Sequence, residues 1–175
     1  GLVFVGVHDA NSGWDSADKV VKEKKINYPV GLDKKAGNTG KSTKDYNLQF
    51  WPTYVVIDRT GIVRGAGLTP DNVEKAVKLL LAESGPAPVA AGADKSGLPE
   101  EWFYAGSARP AAMKKLEGKP APQLAAEKWS VDQVPAEPWK DSVAVVHFFS
   151  RTNSKSMEQL TELAAAQKEL ASQGV

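Results

Sequence analysis

Apolar residues along this chain fall into two patterns, short unbroken runs and runs spaced by three and four positions, which predict strands and helices respectively. Leu2-Val3-Phe4-Val5-Gly6-Val7 and Val143-Ala144-Val145-Val146-His147-Phe148-Phe149 are unbroken and rich in β-branched residues, as expected of strands buried on both faces. Thr53-Tyr54-Val55-Val56-Ile57-Asp58, the turn Arg59-Thr60-Gly61 and Ile62-Val63-Arg64 read as a β-hairpin. Tyr28 to Leu32 is a shorter strand candidate.

The spaced runs predict three helices. Ala17, Val20 and Val21 face inward on a helix from about Ser16, with lysines outward. Val73, Ala76, Val77, Leu80 and Leu81 recur at helical spacing behind Thr69 as N-cap and Pro70 as first helical residue, and the charge of Asp71 suits the positive end of the helix dipole. Met157, Leu160, Leu163, Ala164 and Leu170 mark a helix over 154–172, with Gly174 placed for a left-handed stop. Met157 reads as core filler rather than a ligand. The stretch 33–43, holding Gly37, Asn38, Thr39 and Gly40, reads as a loop with a brief helix after Ser42.

Two structured blocks, 1–85 and 118–175, thus flank a stretch, 86–117, where periodicity dissolves. Its opening, Gly85-Pro86-Ala87-Pro88-Val89-Ala90-Ala91-Gly92, has the composition of a flexible, partly extended linker. Trp102-Phe103-Tyr104 is too apolar to float freely; it staples the linker to the domain surface or anchors a partner. At 175 residues, 42% hydrophobic and 25% charged, the chain suits one soluble domain plus a linker. A net charge of +1 gives no reason to expect nucleic acid or an acidic membrane surface, and Lys22, Lys24 and Lys25 read as a solvated helix face. No apolar run approaches the roughly 20 residues that span a bilayer. The chain opens on a strand-like run without a leader, which suggests a piece of a longer protein.

Candidate chemistry is sparse. There is no cysteine, so the chain has no thiolate to attack a disulfide or peroxide. Two histidines without a cysteine make a metal site improbable, and no cofactor is expected. Ser154 and Ser156 lack a histidine or lysine dyad, so helix capping accounts for them better than nucleophilic catalysis. His8 and Asp9 end a strand where sites in α/β sheets tend to lie. His147 reads as a neutral core histidine satisfied by one hydrogen bond, or as a group titrating near neutrality beside a polar partner.

The run Tyr46-Asn47-Leu48-Gln49-Phe50-Trp51-Pro52-Thr53, continuing through the hairpin to Val63, resembles the redoxin branch of the thioredoxin-like superfamily, which includes thiol-disulfide interchange and alkyl-hydroperoxide-reductase-like proteins. The resemblance implies a cis bond before Pro52, and a groove beside Trp51, Pro52 and Thr53 that takes extended peptide. Trp51 is then a recognition anchor or simply a lid over the sheet edge. Gly118-Lys119-Pro120-Ala121-Pro122 is similar to the opening motif of the same branch, with Trp129 where its first short strand falls. The strand 143–149 is similar to the one leading into the active-site helix. By that alignment Asn153 and Ser156 stand at the two cysteine positions of the Cys-x-x-Cys motif, here Asn153-Ser154-Lys155-Ser156. His147 takes the place of a buried carboxylate.

The implied fold is a thioredoxin-like three-layer α/β/α sandwich with a central mixed sheet, circularly permuted or domain-swapped. Residues 1–85 supply the C-terminal half of the domain and 118–175 the N-terminal half. Either the chain is a permuted domain or it spans the junction of tandem domains, with halves pairing within one chain or exchanging in a homodimer. The expected function is redox-inactive binding or scaffolding of a peptide or protein partner, with an extracytoplasmic location. The alternative is part of a thiol-disulfide oxidoreductase or peroxidase whose cysteines lie outside this chain.

Overall fold

The computed structural model describes residues 1–83, 96–132, 134 and 137–172. In chain order its elements are β1 (Leu2–His8), α1 (Trp14–Glu23), β2 (Val30–Asp33), β3 (Lys35–Ala36), β4 (Thr39–Gly40), α2 (Lys41–Asp45), β5 (Thr53–Ile57), β6 (Val63–Leu68), α3 (Pro70–Ala82), α4 (Ala111–Lys114), β7 (Ala126–Trp129), β8 (Val143–Phe149) and α5 (Ser154–Ser172). Six strands form one mixed sheet in the order β6-β5-β8-β1-β2-β7. The two unbroken apolar runs meet at its centre: β1 lies parallel to β8 in continuous register from Leu2↔Val143 to His8↔Phe149. On the other side β8 runs antiparallel to β5, from Thr53↔Phe148 to Ile57↔Ala144. The two blocks separated in sequence therefore close one sheet within one chain.

The period-two alternation of a strand sends successive side chains to opposite faces, and here both faces are covered. Phe4, Tyr54, Val145 and Phe149 pack beneath all three long helices, against Ala17 and Val21 of α1, Val73, Val77 and Leu80 of α3, and Leu160, Leu163 and Leu170 of α5. The opposite face, with Val5, Val55, Val146 and Phe148, is closed by Tyr46, Leu48, Met113, Leu116 and Trp139 from short helices and irregular chain.

Several elements depart from the pattern-based expectation. Helix α1 begins at Trp14, with Gly13 in the left-handed region at φ 59° as its cap. Strand β6 continues past Arg64 to Leu68, and its glycines explain why. A Cβ on Gly65 would lie 3.0 Å from Leu98 and 3.1 Å from Phe103, so the absent side chain admits the covering segment. Within 33–43 the chain forms the small β3–β4 hairpin and α2. The buried Asp33 carboxylate organises them, accepting hydrogen bonds from the backbone N–H groups of Ser42 and Thr43 and from the Thr43 hydroxyl, all at 2.8 Å. Thr69 sits at the N-cap of α3, but its side chain bonds Asn72 and the Trp102 carbonyl instead of a helix N–H.

Of the stretch read as linker, 84–95 lies outside the described residues, including the whole Pro/Ala tract 85–92. From Ser96 onward the chain is packed down, with Leu98, Phe103, Met113 and Leu116 buried. Residues 102–104 run alongside β6: Thr69 N–H donates to the Trp102 carbonyl and Tyr104 N–H to the Gly67 carbonyl, each at 2.9 Å. This covers an edge that would otherwise expose unpaired backbone groups. Buried Arg109 pins the segment, forking onto Glu117 and stacking 3.5 Å above the Phe103 ring. Gly174 lies outside the described residues.

Candidate functional site

Three chain segments converge at the carboxyl end of the parallel strands β1 and β8: the loop after His8, the loop after Phe149, and the turn before Thr53. This is where side chains of an open α/β sheet gather over strand ends. The Trp51–Pro52 peptide bond is cis. Across from it, Asn153 is the residue that joins the segments. Its side-chain Nδ2 donates to the Trp51 carbonyl at 3.0 Å, while its Oδ1 accepts the backbone N–H of Ser156 at 3.1 Å. The second bond is an N-cap: a side-chain oxygen satisfies one of the orphan N–H groups in the first turn of α5. The serine pair expected to cap this helix does not do so. The Ser156 side chain is fully buried and its hydroxyl has no hydrogen-bond partner among the described residues.

His147 corrects a second expectation. It lies in the sheet layer between aromatic rings, stacked on Tyr54 at 4.7 Å and 7° and on Phe149 at 5.3 Å and 23°. Neither ring nitrogen has a partner among the described residues, so no hydrogen bond satisfies it. Burial pushes its pKa down to about 3, because a charged imidazolium would be desolvated there without compensation. Titration near neutrality is thereby removed, and His147 is neutral at physiological pH.

His8, placed by the sequence at a strand end, holds the two strand-end loops together. Its Nδ1–H donates to the Asp9 carbonyl at 2.8 Å and its Nε2 accepts the Arg151 N–H at 3.2 Å, tying the two strand-end loops together. Burial lowers its pKa, opposed by the carbonyl and charge of Asp9 and assisted by the charge of Arg151. The Asp9 carboxylate accepts from the Asn11 N–H and the Ser12 hydroxyl, and Ser150 continues the chain of bonds to Thr152. Sequence reading missed Ser12, Ser150 and Thr152, since isolated hydroxyls in loops carry no periodic or spacing signal.

Trp51 is half-buried against the sheet face that carries Tyr46 and Leu48, and its indole N–H has no partner among the described residues. Thr53 and Pro52 are buried. Chemically the assembly combines the Asn153 amide, the loop hydroxyls of Ser12, Ser150 and Thr152, the Asp9 carboxylate that accepts from Ser12, and the imidazole of His8. It can offer hydrogen bonds and apolar surface, and among the described residues none of its serine hydroxyls bonds a histidine or lysine side chain. No group of three or more His, Asp or Glu among the described residues could hold a metal ion, and no described helix is long and apolar enough to cross a membrane. No family model matches the chain, and neither a curated protein nor a solved structure is found to match it.

Proposed function

We propose that this chain is a redox-inactive, thioredoxin-like module that binds an extended peptide or partner protein at the edge formed by Trp51, Pro52, Thr53 and the start of α5. The observation that carries the reading is the double engagement of Asn153, which ties the Trp51 carbonyl to the first turn of α5. A side chain so committed serves as a structural strut at the position where the redoxin resemblance expects an attacking thiol. With no cysteine in the sequence, the same place retains shape and main-chain hydrogen-bonding capacity without thiol chemistry. Half-buried Trp51 then supplies the apolar anchor of the contact.

The test is a titration of the chain with reduced, carboxymethylated α-lactalbumin as an extended polypeptide, followed by ¹H–¹⁵N NMR. The expected result is perturbation of the Trp51 indole and Asn153 side-chain amide signals, lost in Trp51→Ala. Binding that leaves these signals unmoved, or reduction of insulin disulfides by the chain itself, would overturn the proposal.

A further inference from the structure

A cleft of about 200 Å³ lies between α3 and α5, on the helix-covered face of the sheet and away from the strand-end loops. Its floor is Phe4 and Tyr54, and its walls are Val73 and Val77 from α3 and Leu163 and Leu170 from α5. The gap follows from the sequence. Ala166 stands on α5 one turn from both Leu163 and Leu170, so the helix presents a methyl where a larger side chain would fill the space. The polar atom of the floor is already committed, since the Tyr54 hydroxyl donates to Gln159 Oε1 at 2.6 Å. What remains inside is mainly apolar.

The rim carries charge of one sign. Among the described residues Glu74 and Glu162 line the cleft and no basic side chain does. Glu74 is neutralised by Lys78 one turn on, at 2.5 Å, with both side chains about half exposed. Glu162 enters no ion pair among the described residues, and its charge is near enough to the Tyr54 hydroxyl to oppose its ionisation. An apolar chamber with one uncompensated carboxylate at its mouth complements an apolar body bearing one positive charge. Size narrows the class further: an apolar cavity of about 150 Å³ accommodates benzene, so this one has room for a ring plus a two- or three-atom arm.

The geometry points to a binding site for a small aromatic monoamine, ring inward between α3 and α5 and ammonium outward on Glu162. This site stands apart from the strand-end surface and does not depend on its reading. Phenethylammonium is the probe, titrated into the full chain and followed by NMR, with phenethyl alcohol and 3-phenylpropionate as neutral and anionic counterparts. The expected result is saturable perturbation of Val73, Val77, Leu163 and Leu170 signals by the amine, with the alcohol at least tenfold weaker and the carboxylate weaker still. Glu162→Gln, a change at an exposed side chain, weakens the amine at least fivefold and leaves the alcohol unchanged. Ala166→Leu abolishes both while the circular dichroism spectrum is retained. Equal binding of amine and carboxylate, an unaltered response in Glu162→Gln, or perturbations centred elsewhere overturn the assignment.

Discussion

At the carboxyl end of β1, His8 is buried and bonds through both ring nitrogens, whereas one strand over on β8, His147 is equally buried and, among the described residues, bonds through neither. The first histidine sits where two loops must be held against each other, and its fixed tautomer supplies one donor and one acceptor for that purpose. The second sits in mid-strand, where its backbone already belongs to ladders with β1 and β5 and its ring is useful only as a flat surface between Tyr54 and Phe149. The difference teaches that burial alone does not define the role of a polar side chain here. Strand ends are secured by hydrogen bonds, and the layer beneath them is secured by stacking.

Removing His8 gives the largest expected effect. His8→Ala leaves the Arg151 N–H and the Asp9 carbonyl without their partner and opens space beside Phe149, 5.1 Å away. A loss of about 3 kcal/mol in urea unfolding is expected from the two mechanisms together. His147→Phe replaces one flat ring by another and sacrifices no hydrogen bond, so at pH 7 it stays within about 1 kcal/mol of the parent. If the two losses proved equal, the contrast between the histidines would be void.

Acid sharpens the comparison next. The folded pKa of His147 lies near 3, below the ordinary value of 6.5 that holds in the unfolded chain. The unfolded state therefore binds the proton first, and this contribution is intact above pH 6.5 and lost as pH falls toward 3. Between pH 7 and 4.5 the linkage amounts to roughly 2 to 3 kcal/mol for this one group. His147→Phe should gain that much stability relative to the parent over the interval, measured as the difference between their urea unfolding free energies at each pH. A constant difference would mean that the ring is protonated in place or solvated.

Asn153 belongs with the bonded set. Asn153→Ala removes an N-cap and the tie to Trp51, with an expected cost of about 1.5 kcal/mol and loss of protection against amide exchange in the first turn of α5. Asn153→Asp retains the cap but cannot donate to the Trp51 carbonyl, so it should recover only the helical part of that loss. Full recovery would show that the link between the two segments contributes nothing.

How much of this was legible in the sequence can be judged residue by residue. The runs 2–7 and 143–149 announced central strands because burial on both faces leaves no polar alternation. The Val73–Leu81 spacing announced α3 because one face must be apolar. The hairpin pattern stops at Arg64, since glycines at 65 and 67 carry no strand signal until Leu98 and Phe103, which cover Gly65, and Met113 beside Gly67 are seen. The sequence offers serines and Asn153 as equally suited caps of α5, and only the structure shows that Asn153 takes the role. The orphaned state of His147 and the chamber beside Ala166 could not be read at all. Both arise from what segments distant in sequence leave between them, and no local pattern encodes a gap.

The smallest expected effect reverses sign between two buried serines. Ser156 is fully buried at the start of α5 with an unpartnered hydroxyl, and Ser42 is fully buried at the start of α2 with its hydroxyl accepting the Ala125 N–H at 2.9 Å. Burying a hydroxyl without a partner is costly, and alanine is the better helix former, so Ser156→Ala should stabilise by about 0.5–1 kcal/mol. Ser42→Ala strands a backbone donor and should destabilise by about 1 kcal/mol. Both are read from urea midpoints at unchanged m-value. Destabilisation in both would place Ser156 among the bonded strand-end groups, and His147 alone would then carry the contrast with the hydrogen-bonded rim.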